Sequence, residues 1–327
     1  MSTTYREIHG GRVKVVSSNP SNPKEGEVWY NSTLGQLKGY VLGTGTWSAG
    51  SSLGTARYGT GCGQSQDACG LAGLQGPPTA ANNLWETYNG SSWTAGPNLV
   101  NSYYRKAGAG TQTAAMGAGG YDPGRRAEVE EFNGSSWAEV TNMPSACQFQ
   151  SGSGPQTAAF YMSGNYPGGD TGVTLDYDGS SWTTGTSLNT GRRQSAAIGA
   201  ASAQTAALLA GGYNPPGSPG DSTVVEQYNG SSWTTVSSLP LGVHAAGSAG
   251  ISTNALVFGG SAPNYPKTMA WDGIAWSESG SMATPRRLVH NGGGGTNAGI
   301  GMGGNPNSSS TEEFNAAVVE TRTLTTS

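Results

Sequence analysis

The chain has 327 residues, a formal net charge of −4 and only 11% charged residues. Its basic residues are scattered, which excludes the clustered footprint of a nucleic-acid binder, and no apolar run approaches the roughly 20 residues of a membrane-crossing helix. Three cysteines are too few for a disulfide framework, so Cys62 and Cys69, flanking a turn, read as small buried residues.

The first 14 residues are polar and carry no apolar segment of the kind that makes a signal peptide. Residues 17–23, Ser-Ser-Asn-Pro-Ser-Asn-Pro, are turn-rich and extended. Glu27 to Tyr30 reads as a strand, 31–35 as a turn, and Gln36 to Val41 as the return strand. Residues 46–50, Thr-Trp-Ser-Ala-Gly, echo Trp93-Thr94-Ala95-Gly96, so Trp47 belongs with the C-terminal part of the chain.

That part is built from repeats. The phrase Tyr88-Asn89-Gly90-Ser91-Ser92-Trp93 returns at 132–137, 177–182 and 228–233, and more loosely at 271–276, with a decayed copy at Phe314. Its tryptophans, 93, 137, 182, 233 and 276, are 44, 45, 51 and 43 residues apart. A period of this size marks a repeat architecture. Asn-Gly or Asp-Gly between an aromatic residue and a Trp predicts a β-hairpin, because both turn residues tolerate positive φ.

Six longer units surround these hairpins. Each opens on Leu or Met, often followed by a basic residue, as in Leu53 and Arg57, Leu188 and Arg192, or Met282 and Arg286. A small-residue strand, a turn such as Gly110-Thr111-Gln112-Thr113, and an apolar strand ending in paired glycines come next. A variable loop then leads to the hairpin. Four antiparallel strands per unit, with small residues where strands crowd an axis, predict an all-β propeller of six blades, or seven if residues 27–49 form part of another. Gly makes up 54 of the 327 residues, against roughly 7% in an ordinary chain; recurring in register with aromatics, it fits a turn-dense β fold. Trp47 lacks a unit of its own and the last unit lacks a Trp strand, so 46–49 is expected to complete the last blade. The tail 321–325 alternates like a strand and could compete for that place or pair with the N-terminal hairpin.

Apolar strand, Gly-Gly, variable loop, aromatic residue and Trp at this spacing resemble the kelch repeat over residues 46–327. The resemblance implies the fold and leaves function open. Residues 1 to about 50, with Asn-Pro, then Glu-Gly-Glu-Val-Trp-Tyr-Asn-Ser at 25–32, Leu37-Lys38 and Trp47, resemble a short module of tail and other structural proteins of tailed bacteriophages, including marine phages of cyanobacteria. That resemblance implies an attachment segment, residues 1–45, with a β-hairpin in a virion protein assembled in the bacterial cytoplasm. It also implies other virion proteins as partners and a homo-oligomer in the particle.

The turns expected at one end of the propeller are nearly identical, and the loops at the other diverge. Divergence on a rigid scaffold points to binding there. The candidate residues are Tyr121, Asp122, Arg125, Arg126, Tyr166, Tyr213 and Tyr265 in the loops. Arg57, Arg105, Arg192, Arg193, His244, Arg286 and Arg287 are expected to ring the channel mouth. Tyrosines stack on sugar rings, and convergent guanidiniums suit carboxylate or phosphate, so a host-surface glycan or protein is the expected partner. Alternatively these loops drift unconstrained, and the arginines pair with nearby Asp and Glu. No cofactor, metal spacing or nucleophile motif is visible, and the chain reads as a non-enzyme. A carbohydrate-active hydrolase using Asp122, Asp170 or Asp221, and an adaptor for other proteins, are the competing readings.

Overall fold

The computed structural model describes residues 7–8, 11–21, 27–42, 45–73, 83–214, 220–261, 265–287, 290–293, 298–306, 308–315 and 319–324. Residues 22–26 and 325, which entered the sequence reading, lie outside them. The chain divides into two compact units, Thr46–Asn315, and Met1–Gly45 with Ala316–Ser327.

In the larger unit the described residues form six four-stranded antiparallel sheets in chain order. The first sheet is Thr60–Ser65, Ala68–Ala72, Trp85–Tyr88 and Trp93–Ala95, and the second is Ala107–Gly110, Ala115–Ala118, Val129–Phe132 and Trp137–Val140. The third is Ser151–Ser153, Phe160–Met162, Thr174–Tyr177 and Trp182–Thr184, and the fourth Ala196–Ile198, Ala207–Ala210, Val225–Tyr228 and Trp233–Thr235. The fifth is Gly247–Ile251, Asn254–Phe258, Thr268–Trp271 and Trp276–Ser279. The sixth takes His290–Gly293, Ala298–Met302 and Thr311–Asn315 from the end of the repeats and Thr46–Ala49 from their beginning, with Trp47 opposite Phe314. Neighbouring first strands adjoin, each sheet against the next and the sixth against the first. This is a propeller-like all-β fold.

The repeated residues hold the sheets to one another. A Cβ on Gly108 would lie 2.4 Å from the Gly61 carbonyl oxygen, and one on Gly152 2.5 Å from that of Gly108. Only glycine lets first strands come this close. Every hairpin Trp packs on the aromatic across its turn, from Tyr177–Trp182 at 4.7 Å to Phe132–Trp137 and Trp47–Phe314 at 5.3 Å. Several also donate their indole N–H to the preceding sheet: Trp182 to Thr141 O, Trp233 to Thr186 O, Trp276 to Ser237 O and Trp47 to Thr268 Oγ1. The glutamine of the first turn does the same work. Gln112, Gln156 and Gln204 each donate Nε2 to two backbone carbonyls of the sheet before.

The hairpin loop has four residues, since Tyr88 pairs with Trp93. Its Asn or Asp side chain accepts the backbone N–H groups two and three residues on, as Asn89 does from Ser91 and Ser92. Asx turns of this kind fix the loop locally.

Two carboxylates at the seams between sheets are held above their ordinary pKa. Burial raises both Glu131 and Asp176, and for Glu131 a hydrogen bond with Tyr177 opposes part of it. A carboxyl group that is more readily protonated in the folded state contributes stability below its unfolded pKa and loses it as pH rises through the folded value. Asp176→Asn is therefore expected to raise the melting temperature at pH 7 by a few degrees, with the advantage fading below about pH 4. An equal gain at both pH values would refute the desolvation account.

In the smaller unit, Val28–Asn31 and Gln36–Leu42 form the expected hairpin. Lys14–Val16 pairs parallel to the first of these strands, and Val319–Thr323 pairs antiparallel to the second. Of the two places open to the C-terminal strand, it takes the second, pairing with Gln36–Leu42 of the N-terminal hairpin, so the smaller unit and not the repeat unit holds it. Asn19 Oδ1 accepts from Trp29 Nε1 and Asn31 Nδ2 at 3.2 and 2.9 Å, pinning the extended stretch to the hairpin.

Candidate functional site

The segment entering each first strand has a common register. In the first sheet it reads Arg57-Tyr58-Gly59-Thr60, in the second Tyr103-Tyr104-Arg105-Lys106, and in the third Cys147-Gln148-Phe149-Gln150. In the fourth it reads Arg192-Arg193-Gln194-Ser195 and in the fifth Val243-His244-Ala245-Ala246. The second residue of the segment makes a β-bridge to the residue after the glycine pair: Tyr104 to Tyr121, Gln148 to Asn165, Arg193 to Tyr213, His244 to Ser261 and Arg287 to Asn305. These bridges bring the variable loops and the strand entries to the same end of the sheets. The near-identical turns lie together at the other end, where Gly134 sits near Thr113 and Gly179 near Thr157.

The third residue of the segment is left-handed. Arg105, Phe149, Gln194 and Ala245 have φ of 60, 60, 55 and 54°, a conformation costing on the order of 1 kcal/mol for a side-chain-bearing residue. The ring imposes it. Phe149 N donates to Arg105 O, Gln194 N to Phe149 O, and Ala245 N to Gln194 O, at 3.3, 3.1 and 2.8 Å. This backbone arc links four consecutive sheets and turns its side chains over a cavity of about 80 Å³ enclosed by the first strands, room for several waters.

The first residue of the segment points the other way. Arg57, Arg192 and Arg286 are fully buried and paired with Glu86, Glu226 and Glu312 on the third strands. Their expected place on the channel mouth is corrected. A guanidinium whose carboxylate lies inside the sheet packing turns inward, as Arg192 does with four hydrogen bonds, to Gly211 O, Leu209 O, Thr190 O and Glu226. In the second sheet Lys106 fills this role, with Nζ 2.7 Å from Glu130 Oε1, so Arg105 is not the counterpart of Arg57.

Arg105 and Arg193 do reach the loop face. Arg105 lies 4.4 Å over Phe149 and 5.4 Å over Tyr121, and donates to Gln148 Oε1 at 2.9 Å. Burial lowers its pKa, and the like charge of Arg193 adds to the effect, although a guanidinium stays charged throughout. Arg193 lies 4.5 Å from the Tyr213 ring and 5.9 Å from Phe149, and binds Asp170 Oδ2 at 2.7 Å. Asn165 joins the group, donating Nδ2 to Asp170 Oδ1 at 2.6 Å and accepting from Arg125 Nε and Nη2 on its own Oδ1 at 3.0 and 2.6 Å. Loops of three successive sheets thus meet around Phe149, which sequence reasoning missed. Setting Phe149 in register with Gln194 would have found it.

The remaining predicted residues divide. Tyr166 is buried with its hydroxyl on Gln150 Nε2, so it is packing and not contact surface. Arg126 lies over Tyr103 at 4.9 Å and within 3.9 Å of Glu128. Asp122 accepts from Arg126 Nη2 on its backbone carbonyl. Tyr265 has the Lys267 ammonium 5.9 Å from its ring. Arg287 is exposed, with Nε 3.4 Å from Asn305 Oδ1.

His244 has Asp221 Oδ1 2.5 Å from Nδ1 and Ser261 Oγ 2.5 and 3.0 Å from Nδ1 and Nε2. The residue types are those of a nucleophilic triad, but the geometry is not. A triad puts the carboxylate on Nδ1 and the serine on the Nε2 axis, whereas here both partners crowd Nδ1. Ser261 is moreover buried, and its β-bridge to His244 is the one that ties each loop to its strand entry. Among the described residues no His, Cys, Asp and Glu cluster could hold a metal ion.

These features define a propeller-like all-β protein whose divergent end carries an arginine–aromatic cluster. The fold is similar to the solved structure of YjhT, a kelch-type β-propeller, with a TM-score of 0.64, 14% identity, and coverage of 84% of this chain and 99% of that one. No protein-family model matches the sequence and no curated protein matches it.

Proposed function

We propose that residues 46–315 form a six-bladed kelch-type propeller that acts as a non-enzymatic binding module of a tailed-phage particle. In this reading the N-terminal segment joins the module to other virion proteins, and the loop end engages a host-surface glycan. The observation that carries the binding role is the cluster around Phe149. Rigid aromatic rings and guanidiniums held by amide networks are the residue types that dominate contact surfaces. The amide of Gln194, which lines the cavity, suits sugar hydroxyls. The phage assignment is supported by the resemblance of residues 1 to about 50 to the tail-protein module.

Two of the three loop-end carboxylates weighed for catalysis are engaged as structure. Asp170 is held by Arg193 and Asn165, and Asp221 by His244, so neither is free to oppose a second carboxylate as a glycosidase needs. The purified chain is expected to retain labelled host cell-wall or capsule glycan without shortening it. Arg193→Ala is expected to weaken retention at least about tenfold, by loss of a charge-assisted contact and of the ring it orders. Antibody against the chain is expected to label intact particles at the tail. Release of reducing ends, or absence of the chain from purified particles, would defeat the corresponding half of this reading.

A further inference from the structure

Charge accounting in the repeat unit leaves two half-buried cations without a carboxylate: Arg125, whose Nε and Nη2 are taken up by Asn165, and Arg105. Every Asp and Glu between residues 46 and 315 lies among the described residues. The glutamates of the third strands hold Arg57, Lys106, Arg192 and Arg286. Asp170 holds Arg193, Asp221 contacts His244, Glu128 faces Arg126 and Glu278 holds Lys267. Glu131 and Glu313 meet tyrosines, and Asp178 and Asp272 cap turns. Neither these carboxylates nor the remaining four, Asp67, Asp122, Glu139 and Asp176, form an ion pair with Arg105. Its partners are the amide oxygen of Gln148 and the faces of Phe149 and Tyr121, and the nearby Arg193 adds like charge.

A charge that has lost water normally has a counter-ion. Arg105 has instead a strained backbone that aims it at the cavity mouth, and the cavity is lined by Arg105, Phe149, Gln194 and Ala245. One guanidinium edge is engaged by Gln148, and a planar fork presents more donors than that single acceptor uses.

We infer that Arg105 receives the carboxylate of a sugar acid, with the sugar ring seated at the cavity mouth against Phe149 and Gln194. The planar, two-oxygen carboxylate matches the fork in shape, and the aromatic wall with amides beside it fits a pyranose better than an extended acidic peptide, which would need a groove. This rests on the glycan-binding reading above and narrows it to acidic glycans.

The test compares glucuronate-containing oligosaccharides with their neutral glucose counterparts by calorimetry on the full chain. Arg105 Nε–H and Phe149 ring resonances would be followed by NMR. The wild-type chain is expected to bind the acidic member at least about tenfold more tightly, an effect of the size expected for a hydrogen bond to a charged group. The preference is expected to vanish in Arg105→Gln and to persist in Lys14→Ala, which removes an exposed cation of the smaller unit. Unchanged melting temperature of Arg105→Gln would show that the loss is one of recognition. Equal binding of acidic and neutral sugars, or a preference that survives Arg105→Gln, overturns the subsite while leaving glycan binding intact. Preference for an aspartate- and glutamate-rich peptide over any sugar acid overturns the choice of ligand. Absence of binding to both sugars, with host glycan still retained, also overturns it.

Discussion

Replacing Glu226 with methionine is expected to lower the melting temperature by about 10 °C, and adding Arg192→Val and Asn189→Pro to that variant is expected to restore most of the loss. Glu226 and Arg192 are both fully buried. The carboxylate also accepts the backbone N–H groups of Asn189 and Thr190 at 2.7 and 3.2 Å. Removing it strands a guanidinium in the packing, at about 3–5 kcal/mol, and roughly 2–4 °C follows each kcal/mol in a domain of this size.

The rescue is written elsewhere in the same chain. In the sheets that carry the pair, the glutamate accepts the N–H of the residue after the opening Leu or Met: Gly54, Val100, Asn189 and Ala283. The third and fifth sheets have Leu175 and Met269 in place of the glutamate, and Cys147 and Val243 in place of the arginine. At the position of the donated N–H they have Pro144 and Pro240. Proline has no N–H to leave unsatisfied. Cation, carboxylate and N–H are thus present together or replaced together. If the triple variant is no more stable than Glu226→Met, the three positions do not form an energetic unit.

Trp47→Ala is expected to cost about 3 kcal/mol, the low end for deleting a large aromatic because the ring is only partly buried. The loss should show itself at a distance in sequence. The Trp47 ring lies 4.9 Å from Phe258 and 5.3 Å from Phe314, and its N–H meets Thr268. Its strand is the outer one of the sixth sheet and is held there by pairing with Thr311–Asn315. Amide hydrogen exchange over 311–315 should accelerate in Trp47→Ala more than over 174–177 in Trp182→Ala, where ring and sheet come from one continuous stretch. Unchanged protection at 311–315 would mean that the strand is held without the tryptophan.

Much of the fold was legible because the repeat samples one local problem many times. The turn phrase, the glycine pairs, the small first strands and the closing role of residues 46–49 follow from spacing and from what the backbone permits. At Gly211 and Gly212, for example, φ is 63 and 112°, values that side chains resist. The site was legible only in part. An arginine at the start of a strand does not say which way it points, and Arg57, Arg192 and Arg286 turned inward because glutamates some 30 residues later wait inside the sheet. Tyr166 looked like a loop tyrosine and is buried in the core cluster with Met143 and Cys147, its hydroxyl on Gln150.

By itself, then, the sequence determined which segments become strands and turns, since those depend on neighbours a few residues away. Only the tertiary structure decided which cations are spent on internal carboxylates, that Phe149 stands between Arg105 and Arg193, and that the C-terminal strand joins the N-terminal hairpin. Each of these depends on groups that are close in space and far apart along the chain, where local pattern carries no information about direction.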